Sequence, residues 1–251
     1  MANAYIICTT PRSGSTLLCR MLRTTGIAGA PASLFFGTSL AEWRRRMALA
    51  PSDASSTVQL RDIMAAAHAL GKGDTAVFAL RQQWHSFAFL QAQLALLFPA
   101  AQTDLVRLTS VFGPLRFIYL TRADKVSQAV SYLLAQQTGL WHRHADGTEL
   151  ERTAAPQLPT YSYEAIAAAV AKLTEWDQNW QAWFNMQGVA PFTVTYETLA
   201  DAPQAQIRDI LEQLNLPTQV ADSVEPDVAR IDDPRSREWV ERFRRDGGVA
   251  P

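Results

Sequence analysis

Hydrophobic residues in this 251-residue chain are arranged in two ways: in short unbroken runs, and in longer stretches where they recur every three or four positions. The runs Tyr5–Thr9, Ala76–Leu80, Phe117–Thr121 and Phe192–Thr195 have the length and β-prone content of buried parallel strands. Leu17, Leu18, Met21 and Leu22 predict a helix after the first run, and Gly26 stops it. Further helices are predicted from Leu60 to Leu70, Phe87 to Phe98, over 102–112, from Val126 through Leu133, from Tyr163 to Met186 and from Gln204 to Leu214. The aromatic stripe Trp176, Trp180 and Phe184 reads as core. Glu42 to Arg46 opens a shorter helix whose arginines read as a solvated face. Alternating strands and helices predict an α/β fold, a parallel β-sheet flanked by helices on both faces, with ligands at the strands' C-terminal edge. The chain reads as a single domain over 1–251, with a polar helical or loop insertion around 138–160 and a basic C-terminal tail over 218–251.

The chemistry concentrates where the first strand ends. Pro11 removes a backbone donor and closes the strand, and the helix begins at Ser15. A strand, a tight loop and a helix in this order converge loop N–H groups and a helix N-terminus on one point, which attracts an anion. Arg12 adds a fixed cationic fork for phosphate or sulfate oxygens. Ser13, Ser15 and Thr16 add hydroxyls, and Gly14 allows close backbone approach. The nucleotide-hydrolase pattern Gly-x-x-x-x-Gly-Lys-Ser/Thr is not met, because Ser15 stands where the Lys belongs. Arg122 repeats the placement of Arg12 after the third strand, which suggests a ligand with two anionic ends. Pairing of Arg122 with Asp124 at the surface is the plainer alternative.

Composition narrows the classes. A formal charge of -1 argues against a nucleic-acid surface, and 48% hydrophobic residues supply a sizeable core. Cys8 and Cys19 both fall on apolar positions and read as buried free thiols. His142 and His144 lack further residues at ligand spacing, so no metal site is expected. No signal pattern and no apolar run of membrane length are read, and the expectation is a soluble, cytoplasmic protein without a transmembrane segment.

These residues resemble a known family, the bacterial trehalose sulfotransferases, within the larger superfamily that uses 3′-phosphoadenosine 5′-phosphosulfate (PAPS). Arg12-Ser13-Gly14-Ser15-Thr16-Leu17-Leu18 resembles the loop holding the donor's 5′ phosphosulfate. Arg122-Ala123-Asp124-Lys125-Val126, with Gln128-Ala129, resembles the element holding its 3′-phosphate; Ser131 is comparable with a family serine there. Gly139-Leu140-Trp141-His142-Arg143, Asp146-Gly147-Thr148-Glu149 and Tyr196-Glu197-Thr198-Leu199 continue the match. The resemblance implies a P-loop-like sulfotransferase fold, PAPS as sulfuryl donor without a metal, a carbohydrate or glycolipid acceptor, and a tendency to form a homodimer.

The chain departs from the family at the base. A Glu shortly after a Gly-x-Pro turn is the family's proposed base, whereas Gly29-Ala30-Pro31 is followed here by Ala32, Ser33 and Leu34. His85, a few residues past the second strand on the ligand edge, is the candidate in its place, with Glu42 a further one if its loop folds back. A histidine packed beside Trp84 is the plainer reading. Ser33, Phe35 and Trp141 are candidates for acceptor contacts. Two rival functions are a catalytically silent PAPS-binding protein, which the missing Glu would explain, and a small-molecule kinase with a variant loop.

Overall fold

A computed structural model describes residues 4–228 and 234–247. In chain order the elements are β1 (Ala4–Thr9), α1 (Ser15–Thr24), α2 (Leu40–Arg46), α3 (Ser56–Lys72), β2 (Phe78–Gln83), α4 (Trp84–Leu97), α5 (Asp104–Phe112), β3 (Leu115–Thr121), α6 (Lys125–Thr138), β4 (Leu140–Arg143), β5 (Glu149–Arg152), α7 (Tyr163–Gln187), β6 (Phe192–Thr195), α8 (Tyr196–Asp201), α9 (Pro203–Gln213) and α10 (Pro234–Asp246). A short 3-10 turn, Gln219–Ser223, follows α9.

The main sheet is parallel, in the order β2-β1-β3-β6. β1 lies inside it, and all its residues are buried. Its alternation divides the core. Ile6 and Cys8 face Phe78, Leu80, Phe87, Trp180 and Phe184 on one side; Tyr5 and Ile7 face Leu18, Leu22, Ile207 and Leu211 on the other. Burying each such aliphatic or aromatic side chain is worth roughly 1.5–3 kcal/mol, which is why these runs stay in the sheet. A third cluster joins α6, α7 and α10 through Val130, Leu173 and Trp239. Among the described residues no helix is long and apolar enough to cross a membrane.

α7 fastens the sheet's C-terminal edge. The Trp180 indole N–H donates to the Thr9 carbonyl at 2.9 Å. Asp177 accepts from the Thr121 hydroxyl at 2.7 Å and the Thr10 hydroxyl at 3.3 Å, and pairs with Lys125. The ends of β1 and β3, from which Arg12 and Arg122 emerge, are thereby tied to one helix.

Several expectations need correction. The second strand runs Phe78–Gln83 rather than Ala76–Leu80. Its polar end is held by the ladder, since Cys8 and Thr9 pair with Gln82 and Gln83. His85 is therefore in the first turn of α4 and not in a loop. The 138–160 region is not helix or loop alone. It contains the antiparallel β4–β5 hairpin, which polar periodicity conceals because most of its side chains are only partly buried or exposed. The arginines of α2 are not uniformly solvated. Arg44 is buried, donating to the Ala50 carbonyl at 2.7 Å. The tail over 218–251 is described except for 229–233 and 248–251, and it carries α10, which packs Trp239 and Val240 into the core. Cys8 and Cys19 are buried and free, as expected.

Candidate active site

The loop between β1 and α1 turns through two left-handed residues, Arg12 at φ 62° and Gly14 at φ 84°. The turn places Gly14 at the N-cap of α1, whose first N–H groups lack intrahelical acceptors. Gly14 is required twice over. Its φ is unfavourable for other residues, and an added Cβ would lie 2.6 Å from Cδ2 of Tyr196. The loop's inner side is closed by hydrogen bonds. The Gln128 amide donates to the Pro11 carbonyl at 2.7 Å and to the Thr10 hydroxyl at 3.0 Å. The Ser13 hydroxyl is buried against Thr9, at 2.5 Å, and donates to the Thr10 carbonyl at 2.9 Å. That corrects one expectation: Ser13 presents no hydroxyl to a ligand, and its backbone N–H is what it can offer.

Cations surround this loop. Arg12 donates through Nε to the Ser131 hydroxyl at 2.9 Å and through Nη1 to the Trp141 carbonyl. Burial first, and then the field of Arg122, lower its pKa to about 10, so it is still charged at neutral pH. Arg122 lies with its guanidinium 4.5 Å from the centre of the Tyr196 ring, the same ring that covers Gly14. Surface pairing of Arg122 with Asp124 is not what forms. Asp124 caps α6 through the Ser127 N–H and pairs with Arg244 at 3.0 Å.

Two side chains absent from the predicted site residues stand at the centre, although the sequence places Arg81 on the ligand-bearing edge after the second strand. Arg81, at the end of β2, donates to the Ser33 hydroxyl at 2.8 Å and to the Thr16 hydroxyl at 2.9 Å. His142 Nε2 lies 2.9 Å from the same Thr16 hydroxyl and 3.6 Å from the Glu151 carboxylate. Desolvation, then Arg12 and Arg81, hold its pKa down at about 3, so it is neutral. The signal for Arg81 was in reach: it is a cation at a strand's C-terminal end, the pattern that identified Arg12 and Arg122. His142 had no comparable signal, since the hairpin alone brings it to Thr16.

These groups line one cleft of about 1010 Å³, which also includes Ser131, Ser33, Trp141 and His85. A smaller cavity of about 200 Å³ adjoins it beyond Arg12 and Ser131. His85 is exposed to the cleft, with its ring against Phe36 and Trp176 at centroid distances of 5.2 and 5.4 Å. Desolvation, followed by Lys172, lowers its pKa. Phe35 is a correction. It is fully buried against Trp43 and Phe112 and cannot touch an acceptor. The neighbouring Phe36 is the exposed ring that faces the cleft. Trp176 packs partly buried against the α6–α7–α10 cluster and also lines the cleft, whereas Trp180 and Phe184 are buried. Glu42 is held at the start of α2, accepting from the Thr38 N–H and the Ser39 hydroxyl, each at 3.1 Å. Trp141 lines the cleft while its indole N–H donates to Thr153 at 3.0 Å. Among the described residues there is no group of three or more His, Cys, Asp or Glu side chains placed to hold a metal.

A strand–loop–helix turn under Tyr196 thus carries Arg12 and Arg122 at one cleft, and sequence comparison places the chain among known proteins. The chain is 31% identical over 261 residues to trehalose 2-sulfotransferase of Mycobacterium tuberculosis, with 96% of this chain and 94% of that protein covered. It is 30% identical over 263 residues to trehalose 2-sulfotransferase of Mycolicibacterium smegmatis, with 97% and 95% covered. Among solved structures, it resembles the sulfotransferase domain of the Synechococcus PCC 7002 olefin synthase at a TM-score of 0.49 and 13% identity, covering 96% of this chain and 86% of that one. The family model for Stf0 sulphotransferases matches residues 4–246, spanning β1 through α10. By that match and by both relatives, this chain is a sulfotransferase of the Stf0 family.

Proposed function

We propose that the protein transfers a sulfuryl group from PAPS to a hydroxyl of a carbohydrate or glycolipid, of the trehalose-like kind that the relatives' names specify. The observation that carries this reading is the convergence on one cleft of the α1 N-terminus, Arg12 and Arg122. The residues fit the donor. Gly14 lets the Tyr196 ring close over one side of the loop, and the helix N-terminus with Arg12 and Arg122 offers donors of the kind an anionic ligand takes. Arg12 and the N–H groups of Ser13, Gly14, Ser15 and Thr16 would hold the 5′ phosphosulfate, and Arg122 with Ser131 the 3′-phosphate. When bound, PAPS supplies an activated sulfuryl group on a phosphosulfate anhydride.

The chain's own groups account for the remainder of the chemistry. Arg12 and the loop N–H groups lie where negative charge would grow on the departing phosphate, and preorganised donors of this kind lower a barrier without reorganising. Arg81 orients the Ser33 and Thr16 hydroxyls. His85, neutral at pH 7 through its lowered pKa, would take the proton of the acceptor hydroxyl, a role worth typically about 10²–10⁴-fold. Ser33 and Trp141 line the cleft where an acceptor would lie. The family resemblance also supports a homodimer.

Calorimetric titration with 3′-phosphoadenosine 5′-phosphate (PAP) and, separately, ATP tests the donor. Binding of PAP and not ATP is expected; the reverse would establish a kinase instead. Turnover of sulfate-labelled PAPS with saccharides then tests the reaction. Ser33, in place of the family carboxylate, motivates one alternative, a silent PAPS-binding protein, and PAP binding without turnover of any saccharide would favour it. For the base, His85→Ala is expected to abolish turnover while leaving PAP affinity unchanged. Retained turnover eliminates His85.

A further inference from the structure

One wall of the cleft is an unbroken series of side chains: Arg46, Phe36, His85, Trp176 and Lys172. The Arg46 guanidinium lies 5.1 Å from the centre of the Phe36 ring, and the Lys172 ammonium 4.9 Å from that of Trp176. Between them the rings of Phe36, His85 and Trp176 are 5.2 and 5.4 Å apart. The result is an uneven aromatic shelf, with Phe36 edge-on to His85 at 81° and His85 tilted by 35° against Trp176, and a cation at each end; all five residues face the cleft. The shelf is separate from the donor-binding groups by topology. Phe36, Arg46 and His85 belong to segments beside β2, at one edge of the sheet, while Arg122 and Tyr196 leave β3 and β6 towards the other.

Among the described residues no ion pair balances the charge of this wall, and neither Arg46 nor Lys172 enters one. Glu42, one turn before Arg46, is committed to capping α2. Glu175, near Lys172 on α7, does not line the cleft. The carboxylates that do line it are Glu151, on the hairpin beside His142, and Glu241, on α10. The field of Lys172 reaches into the site, since it helps lower the pKa of His85. A neutral sugar would satisfy the rings and leave two cations facing it without an anion.

We propose that the acceptor is an anionic saccharide, lying along the Phe36–His85–Trp176 shelf with its carboxylate or phosphate held by Arg46 at one end or by Lys172 at the other. This rests on the sulfotransferase reading above and names the acceptor class of that site. Charge-assisted hydrogen bonds of this kind separate an anionic ligand from its neutral counterpart by roughly tenfold to a hundredfold.

The test is calorimetry on the PAP-loaded full chain with matched sugars: trehalose against trehalose 6-phosphate, and glucose against glucuronate. Tighter binding of trehalose 6-phosphate, of glucuronate or of both is expected, and shows which acid group is taken. The Arg46→Gln/Lys172→Gln double variant should lose that preference while binding PAP as the parent does. Equal affinity within both pairs, no binding of either anionic sugar, or a preference that survives in the double variant overturns the proposal. Failure of the parent protein to bind PAP is a different result, which removes the donor reading and this proposal with it.

Discussion

Gly14→Ala is the sharpest probe of the donor loop, because its two costs can be separated. The first is conformational. An alanine at φ 84° occupies the left-handed region, at roughly 1–2 kcal/mol. The second is steric. The new Cβ would stand 2.6 Å from Cδ2 and 3.2 Å from Cε2 of Tyr196, so the ring must move; overpacking of this kind costs about 1–3 kcal/mol. The loss of stability is thus about 2–5 kcal/mol, and at about 2–4 °C per kcal/mol for a chain of this size Tm should fall by very roughly 5–20 °C. Gly26 provides the control. Its φ is 70°, and nothing lies within 4 Å of an added Cβ, so Gly26→Ala bears the conformational cost alone. The excess of Gly14→Ala over Gly26→Ala measures the clash. Displacing Tyr196 also takes away the ring beneath Arg122, so PAP affinity should fall with Gly14→Ala and not with Gly26→Ala. A double-mutant cycle with Tyr196→Ala, followed by urea unfolding, should show non-additivity because the clash disappears with the ring. Equal effects of the two glycine substitutions, or strict additivity with Tyr196→Ala, would refute the argument.

Removing either donor-site arginine, by Arg12→Ala or Arg122→Ala, should weaken PAP binding by about tenfold or more, as expected from charge-assisted bonds worth roughly 1.5–3 kcal/mol; calorimetry showing both variants unchanged would put the donor elsewhere. His142 should make the protein acid-sensitive. Its folded imidazole binds a proton less readily than the unfolded one, so stability contributed by neutral His142 is present above the unfolded pKa of about 6.5 and is lost as pH falls towards the folded value of about 3. Urea unfolding at pH 7 and at pH 4.5 should therefore show a smaller loss in His142→Gln than in the parent, and parallel losses would show that the imidazole is not held neutral.

The sheet was legible in the sequence because β1 is buried along its whole length and β2 and β3 over most of theirs, so that they appear as continuous apolar runs. Tyr5–Thr9 and Phe192–Thr195 were located to within a residue. The second strand was placed short, because hydrophobicity stops at Leu80 while the hydrogen-bond ladder to β1 continues to Gln83. The turn between β1 and α1 was equally legible. Arg12, Gly14 and a helix beginning at Ser15 are local features, and local order alone directs their N–H groups to one point. What the sequence could not decide is which side of the backbone each group serves. Ser13 in the loop and Thr16 in the first turn of α1 both carry hydroxyls, yet the Ser13 hydroxyl is buried against Thr9 and the Thr16 hydroxyl meets Arg81 and His142. Phe35 and Phe36 are adjacent and chemically identical, yet one fills the core and the other faces the cleft. Such choices depend on contacts between residues far apart in the chain: Tyr196 over Gly14, Trp180 on Thr9, the hairpin that carries His142 to Thr16. Sequence determined the apolar strands, the main helices and the turn between β1 and α1, since these follow from neighbours along the chain. Tertiary packing decided which side chains meet in the cleft, since burial is a property of the assembled core.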